Sequence, residues 1–270
     1  MKKESLNQKK IPNSGAERSP GIKIKTPEEI EYLRRAGRIL SNIVSDLKRS
    51  LKSGMTTQEI DCKAEALIGE HRVRPAFKGY RGFPGCICIS INNEVVHGIP
   101  GKRLVKDGDI VSIDIGIVAD HYFSDTAFTM GFGEISVDLK KLLEVTKESL
   151  DKGIQQALVG HHLSDISCAI QEYVEAHHFA VVRDFVGHGI GRALHEDPEI
   201  PNYGPPYMGP LLEEGMVFAI EPMVNMGTWQ TEVLKDGWTV VTKDGKPSAH
   251  FEHTVAIMKS GTEILTKENG

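Results

Sequence analysis

Two aspartates, Asp114 and Asp125, lie eleven positions apart within Ile110 to Met130, a stretch rich in β-branched residues. The stretch predicts a β-hairpin that turns at Ala119 and Asp120. Because side chains alternate between the two faces of a strand, each arm places one carboxylate among apolar neighbours that predict burial. Buried carboxylates are costly unless they are paired, hydrogen-bonded or bound to a metal ion. A metal site is one interpretation. Turn capping or pairing with Lys or Arg is the other, and these two residues alone leave both open.

Three further polar residues lie at the ends or on one face of predicted strands. His188 stands between two glycines, Glu221 ends an apolar run, and Glu252 alternates with His250 and Thr254 on a strand predicted to reach Met258. Four carboxylates and one imidazole suit Mn, Fe, Co or Zn rather than a structural zinc site. Carboxylates about 4 Å apart repel by about 4 kcal/mol per pair at an effective dielectric constant near 20, so two divalent cations would balance the four charges.

Composition narrows the class of protein. The chain has 270 residues, of which 40% are hydrophobic, and this length allows a large single domain or two fused halves. A net charge of −5 argues against a general nucleic-acid binder. No apolar run reaches about 18 residues, so we expect no membrane span. The cysteines lack C-x-x-C spacing, and we expect reduced thiols and a reducing compartment. They are Cys62, Cys86, Cys88 and Cys168.

The N-terminal segment differs from the rest of the chain. Residues 1–21 carry five Lys or Arg against two Glu and lack the apolar core of a secretory signal. We interpret them as a disordered basic tail, followed by one domain over residues 22–270. The tail either remains solvated or contacts an anionic partner such as ribosomal RNA.

Helices and an internal repeat must position the site. Capping boxes at Thr26 and Thr56 predict two helix starts, and a long amphipathic helix is predicted over 136–159. Gly54, Ile60 and Cys62 recur as Gly160, Ile166 and Cys168, each at an offset of 106. Each copy is followed by a strand and a His-Gly-Ile tripeptide, at His97 and at His188. The repeat predicts two α+β halves related by a pseudo-twofold axis, with a ligand site between them.

Together these residues resemble the type 1 methionine aminopeptidases of the pita-bread fold, over about residues 24–266. The motifs are the two aspartates, Gly-His188-Gly-Ile-Gly-Arg, His195-Glu, Ile-Glu221-Pro-Met and Phe-Glu252-His-Thr. A type 2 enzyme would carry a long insertion between the metal histidine and the next glutamate. Here Glu221 follows His188 by only 33 positions (221−188). The resemblance implies an α+β pita-bread catalytic domain, two pseudo-symmetric halves around a curved antiparallel sheet.

The resemblance also implies roles for individual residues. The metal ligands would be Asp114, Asp125, His188, Glu221 and Glu252, with Asp125 and Glu252 bridging two ions and Glu221 also handling a proton. His97 would lie by the scissile amide, and His195 by its carbonyl oxygen to steady the tetrahedral intermediate. Taken from the residues alone, a lone histidine beside glycines is more often a structural, hydrogen-bonded residue.

The substrate pocket is expected to be apolar and partly aromatic. Its implied residues are Tyr80, Phe83, Cys88 and Trp238, together with His97, His195 and Phe77. Phe77 stands where some family members carry cysteine, and Leu194 stands where many carry an aromatic residue, which leaves the shape of the pocket open. Asn92 resembles a position near a monovalent-cation site in some relatives.

The expected activity is removal of the initiator methionine from nascent chains, preferentially when the second residue is small. The expected cofactors are two divalent ions drawn from Co, Mn, Fe(II) and Zn. The expected setting is a cytoplasmic monomer that meets nascent N-termini, and contact of the tail with the ribosome is the alternative to a tail that is only solvated. Two alternatives stand beside this hypothesis: a proline-directed peptidase of the same fold, and a non-catalytic binding module. Binding modules of this fold typically lose metal ligands, whereas all five are present here.

Overall fold

The computed structural model describes residues 21–267, so all of the predicted basic tail except Gly21 lies outside the described residues. The helices are α1 (Pro27–Ser50), α2 (Thr57–Glu70), α3 (Val137–Gln156) and α4 (Leu163–Ala176). The strands are β1 (Arg74–Pro75), β2 (Cys88–Ile91), β3 (Glu94–Val96), β4 (Ile110–Ala119), β5 (Tyr122–Gly131), β6 (Ala180–Val181), β7 (Gly187–Gly189), β8 (Glu196–Ile200), β9 (Val217–Ile220), β10 (Met223–Asn225), β11 (Thr231–Val233), β12 (Val240–Thr242), β13 (Ser248–His250), β14 (Glu252–Met258) and β15 (Gly261–Ile264). Within this part of the chain, no helix is long and apolar enough to cross a membrane.

One antiparallel sheet of nine strands forms the centre of the molecule. Its strands run in the order β1-β4-β5-β14-β9-β7-β8, with β2 added beside β4 and β15 beside β14. Two smaller sheets, β13-β10-β6 and β11-β12-β3, have three strands each. Strands and helices are therefore mixed as the sequence predicts for an α+β fold.

The predicted hairpin is the pair β4–β5. Asp114 pairs with Ala127, and Asp125 pairs with Gly116, so both aspartates lie on one face of the sheet. The turn is Asp120 and His121, one residue later than predicted, and both have positive φ angles of 49° and 68°. Two positive φ angles give the backbone twist that closes a two-residue hairpin, and aspartate tolerates this conformation better than most residues.

Each half of the molecule has its own apolar core. In the N-terminal half, α1 and α2 pack on β2 and β4 through residues such as Leu40, Ile60 and Ile113. In the C-terminal half, α3 and α4 pack on β9 and β14 through residues such as Ile154 and Ile170. The helices thus cover one side of the sheet, and the two halves meet where β5 pairs with β14.

Backbone hydrogen bonds confirm the internal repeat. In both halves, the residues at the start of the second helix (α2 or α4) form the same pattern of backbone hydrogen bonds with a loop later in the chain. In each matched pair the residues on the helix side differ by 106 positions and those on the loop side by 107. The pairs, written as donor to acceptor, are Gly54→Val105 and Gly160→Leu212, Val105→Met55 and Leu212→His161, Thr57→Arg103 and Leu163→Pro210, and Gln58→Gly101 and Ser164→Met208.

The His-Gly-Ile tripeptides are not part of this repeat. His188 lies within β7 of the main sheet, whereas His97 follows β3, which pairs with β12 in a separate sheet. The single strand predicted from His250 to Met258 is also wrong. It is interrupted at Phe251, because His250 pairs with Met223 in the β13-β10-β6 sheet before the chain joins the main sheet as β14.

We expect two glycine-to-alanine substitutions in helices to have opposite effects on stability. A Cβ at Gly37 of α1 would lie 2.2 Å from the carbonyl oxygen of Leu265, so Gly37→Ala must displace packed backbone. We expect a loss of about 1–3 kcal/mol in the free energy of unfolding. A Cβ at Gly69 of α2 meets nothing within 4 Å, so Gly69→Ala is expected to add about 0.5–1 kcal/mol. Urea denaturation of both variants measures the difference, and equal signs would contradict this packing.

Candidate metal centre

The five predicted metal ligands converge on the main sheet. The strands β4, β5, β14, β9 and β7 are neighbours in the sheet, and each contributes one of the five residues. Four of these residues lie within their strand, and the fifth follows β9 directly. In that order they are Asp114, Asp125, Glu252, Glu221 and His188. All five line one cavity of about 170 Å³. Because the strands are hydrogen-bonded neighbours, the backbone fixes the spacing of these side chains.

The centre of the cluster is tightly grouped and buried. Ligand atoms of Asp125, His188 and Glu252 all lie within 4.8 Å of one another. These three residues are 4%, 7% and 2% exposed, so solvent screens their charges poorly. Glu221 joins them through its Oε1 atom, which lies 3.5 Å from Nε2 of His188.

Burial makes the carboxylates reluctant to ionise. It raises the pKa of Asp125 to about 7. Burial, and then the nearby charges of Asp125 and Glu221, raise the pKa of Asp114 well above its ordinary value. The pKa of Glu221 rises in the same way through burial and Asp125, and that of Glu252 through burial and the other three acids. Four acids in one pocket thus lack a compensating positive charge.

The unsatisfied atoms in this pocket fit a divalent cation. Among the described residues, Asp114 Oδ1, Asp125 Oδ1 and Glu252 Oε1 are buried and find no hydrogen-bond donor. Buried acceptors of this kind are rare in folded proteins unless something else satisfies them. A divalent cation supplies the positive charge and accepts the oxygen lone pairs, and this donor set of hard oxygens with one nitrogen matches it.

His188 is held as a neutral ligand would be. Its Nδ1 atom lies 2.9 Å from the carbonyl oxygen of Gly189. Because a carbonyl oxygen only accepts, Nδ1 carries the ring hydrogen and donates a hydrogen bond to it. The Nε2 lone pair is then left facing the acids. Burial lowers the pKa of His188 to about 3, which keeps the ring neutral at physiological pH. A neighbouring carbonyl that fixes the tautomer in this way is the usual support of a metal-bound histidine.

The other two predicted histidines also line the cavity. Burial lowers the pKa of His97 to about 4, and its ring meets Phe185 and Trp238 edge-on, with centroids 5.5 and 6.3 Å away. The ring of His195 lies 4.3 Å from that of His188, measured between centroids. Its Nδ1 atom shares a hydrogen bond of 2.8 Å with the hydroxyl of Tyr80. Both histidines are therefore neutral groups that offer N–H donors at the edge of the acid cluster.

The remaining wall of the cavity is apolar and partly aromatic, as expected. Phe83 and Trp238 meet edge-on with centroids 5.2 Å apart. The residues that form this wall are Phe77, Tyr80, Phe83, Cys88, Leu194 and Trp238. Asn92 is not among the lining residues. It donates to Asp109 and accepts from the N–H of Ile110, so its side chain ties the turn after β2 to β4.

Two residues of the site were not predicted from the sequence. His250 is 1% exposed, and its Nε2 atom lies 3.5 Å from Oε2 of Glu221. Its alternation with Glu252 was the available signal, although the interruption at Phe251 gives the two residues different strands. Arg81 lines the mouth of the cavity, and no pattern in the sequence separated it from ordinary surface arginines.

We expect the metal-free protein to unfold at a lower temperature at pH 8.0 than at pH 6.5. A carboxyl group whose folded pKa is raised contributes stability that is lost as pH rises through that pKa. His97, His188 and His250, with folded pKa values of about 4, 3 and 3, oppose this trend only weakly. An unfolded imidazole is half protonated near pH 6.5, so each ring adds at most about 0.4 kcal/mol of stability between pH 6.5 and 8.0. Each carboxyl that stays protonated at pH 6.5 can account for up to about 2 kcal/mol over this range.

Thermal unfolding in the presence of a chelator measures this slope, and Asp125→Asn, which removes one titrating carboxyl, should flatten it. Adding Mn²⁺ or Co²⁺ should raise the unfolding temperature most at pH 8.0, where the acids are ionised. A metal-free protein that is more stable at pH 8.0 than at pH 6.5 would contradict the repulsion described above.

Comparison with known proteins agrees with this geometry. The model of metallopeptidase family M24 matches residues 31–259. Methionine aminopeptidase 1 of Bacillus subtilis is 57% identical over 243 residues, which cover 90% of this chain and 98% of that protein. A methionine aminopeptidase of Clostridium perfringens is 56% identical over 245 residues, 91% of this chain and 98% of that protein. The crystal structure of a methionine aminopeptidase from Thermotoga maritima superposes with a TM-score of 0.89 at 48% identity, covering 92% of this chain and 100% of that one. The chain therefore belongs to metallopeptidase family M24 and has its pita-bread fold.

Proposed function

We propose that this protein is a methionine aminopeptidase that uses two divalent metal ions to remove the N-terminal methionine of new chains. The observation that carries the proposal is the composition of one cavity, in which a cluster of four buried or half-buried acids adjoins an apolar, partly aromatic wall. The acids can hold the metal ions needed for hydrolysis, and the apolar wall can bind an apolar side chain of the substrate. The relatives named methionine aminopeptidase, alike over about nine-tenths of this chain, support the same activity.

We infer two ions from charge and ligand number. Two divalent cations carry +4 and balance the four carboxylates, whose raised pKa values report the missing positive charge. Asp125 and Glu252, in the middle of the row, would hold the ions together with Asp114, His188 and Glu221. Co, Mn, Fe(II) and Zn all suit this donor set. When bound, such ions polarise the scissile carbonyl and lower the pKa of a water molecule.

Glu221 is the proposed proton carrier. Its carboxylate lies 3.5 Å from His188 through Oε1 and 3.5 Å from His250 through Oε2. Burial and the charge of Asp125 raise its pKa, so it holds a proton more readily than an exposed glutamate does. A carboxylate of this kind accepts the proton of the attacking water and delivers it to the leaving amine.

His97 and His195 are proposed to hold the peptide. Both are neutral, and both border the cavity between the acids and its apolar wall. An N–H donor at the carbonyl oxygen strengthens as negative charge develops there in the transition state. His195 is suited to that place, because Tyr80 binds its Nδ1 atom and fixes the ring. His97 would then meet the amide of the scissile bond.

The pocket sets the proposed specificity. Phe77, Phe83 and Trp238 form a wall against which an unbranched thioether packs well. The residue that follows methionine is expected to be small, because His195 and Leu194 also line this cavity of about 170 Å³.

The alternatives fit less well. A proline-directed peptidase shares the fold. However, this chain aligns over about nine-tenths of its length with methionine aminopeptidases, and it is 57% and 48% identical to two of them. A binding module needs no complete set of acids, yet all five ligands are present and converge.

We further propose that residues 22–270 form the catalytic domain of a cytoplasmic monomer, since initiator methionine occurs on chains made in the cytoplasm. The basic tail would contact the ribosome.

We expect metal-stripped protein to release no methionine from a Met-Ala-Ser peptide, and to recover activity when Mn, Co, Fe(II) or Zn is added singly. Analysis of free methionine by chromatography measures the rate. A Met-Leu-Ser peptide should be cleaved at least tenfold more slowly, because leucine at the second position meets His195 and Leu194. An Ala-Pro-Ser peptide controls for proline-directed activity. Folded, metal-loaded protein that releases no methionine, or that prefers the proline peptide, would contradict the proposal.

A further inference from the structure

His195 stands at the end of a short loop that is built around one carboxylate. The loop runs from Gly191 to Glu196. Oε1 of Glu196 accepts the backbone N–H groups of Arg192, at 2.9 Å, and of Ala193, at 3.2 Å. The backbone of the loop therefore closes over the side chain of the residue directly after His195. Each N–H would otherwise be left without a partner inside the turn.

The other oxygen of this carboxylate is bound by a buried lysine. Oε2 of Glu196 lies 2.6 Å from Nζ of Lys25, and the two side chains are only 2% and 6% exposed. Lys23 lies near the same carboxylate at 3.5 Å, but its side chain is 61% exposed. The first pair is thus an interior ion pair, whereas the second is a solvent-screened contact of the kind that contributes little.

Lys25 is itself fixed on several sides. Its backbone N–H donates to the carbonyl oxygen of Gly215, and its Nζ atom also donates to the carbonyl oxygen of Lys23. No space is left between lysine and loop. A Cβ on Gly191 would lie 2.6 Å from Cε of Lys25 and 3.0 Å from Oε1 of Glu196. The loop can therefore move only if this packing opens.

The location of the pair gives it significance for the site. Glu196 follows His195 in the chain, and in the main sheet it pairs with Gly189, the neighbour of His188. Burying two charges is costly and adds little net stability compared with apolar side chains of similar volume. Glu196 is adjacent to His195 in the chain, and its strand partner is adjacent to His188. An ion pair buried at this place is therefore suited to positioning the two histidines.

We propose that the buried Lys25–Glu196 pair positions His195, so that Glu196 is a positioning residue that acts on the reaction through its neighbour. The inference rests on the proposed function, in which His195 donates to the scissile carbonyl oxygen. Tyr80 fixes the orientation of the imidazole ring, and Glu196 fixes the backbone from which the ring projects. The segment before α1 thereby takes part in the active site without touching the substrate.

Steady-state kinetics on Met-Ala-Ser with metal-loaded protein provide the first measurement. Glu196→Ala removes the acceptor for both loop N–H groups, and we expect kcat to fall at least tenfold while KM changes less than threefold. In a His195→Ala background, Glu196→Ala should lower kcat by less than a further twofold, because the histidine that the carboxylate positions is absent. An unchanged kcat, or a loss that multiplies fully in that background, would overturn the proposal.

Two matched variants control for stability. Lys23→Met removes the exposed cation near the same carboxylate, and we expect it to leave kcat within twofold. Glu263→Ala breaks a partly buried ion pair with Arg34 that lies outside the cavity, and it should lower stability without changing kcat. If Glu196→Ala does not fold, Glu196→Gln, which keeps the volume and one acceptor oxygen, follows the same cycle.

A second readout does not depend on activity. In metal-free protein with labelled histidine, the ring signals of His195 should shift or broaden in Glu196→Ala, while those of His71 stay as in the parent. An unmoved His195 signal would overturn the inference even if methionine release confirms the proposed function. Conversely, a protein that cleaves no methionine peptide but shows the shifted signal would leave the positioning intact and remove its catalytic meaning, which overturns the proposed function alone.

Discussion

Mutual repulsion among four closely grouped carboxylates is the constraint on which this structure depends. Their pKa values are all raised, because burial removes water from each, and for Asp114, Glu221 and Glu252 neighbouring acids also add negative charge. Side chains free to do so would move apart or reach solvent. Here they cannot, because each is carried by a strand that is hydrogen-bonded to the next. The sheet thus holds a charge distribution that becomes favourable only when cations are bound.

Threonine hydroxyls reinforce the sheet where this repulsion is concentrated. Strand pairing between β5 and β14 covers only two residue pairs beside the acids. Beyond them, the hydroxyl of Thr126 donates to the carbonyl oxygen of Glu252 at 2.6 Å, and that of Thr254 donates to the carbonyl oxygen of Asp125 at 2.7 Å. Thr254 also accepts the N–H of Asp125. These side-chain hydrogen bonds strengthen the short contact between the two strands, and they keep Asp125 and Glu252 aligned where the two halves meet.

The sequence was most informative where chemistry and pattern coincide. Alternation in a predicted hairpin singled out Asp114 and Asp125 as carboxylates among apolar neighbours, since the period of a strand fixes which side chains share a face. The repeat at an offset of 106 predicted the two halves, and it extends further than expected, as Asp114 and Glu221 differ by the 107 positions (221−114) that relate the matched loops. Lys25 could not be found in this way, and the alternation of His250 with Glu252 did not reveal its contact with Glu221. Their roles come from contacts between segments far apart in the chain, and the His-Gly-Ile match misled because identical tripeptides need not occupy equivalent strands.

The neutrality of the surrounding histidines follows from the same electrostatics. Nearby acids favour the protonated form of an imidazole, yet burial lowers the pKa values of His97, His188 and His250 to between about 3 and 4. The pKa values of the acids are themselves raised, so they carry less negative charge beside the rings than four fully ionised carboxylates would. Once cations neutralise the acids instead, a protonated ring would face positive charge, and the neutral form is favoured again. Both states of the centre therefore keep these imidazoles as neutral donors and ligands, which is the form that metal binding and hydrogen bonding to a carbonyl oxygen require.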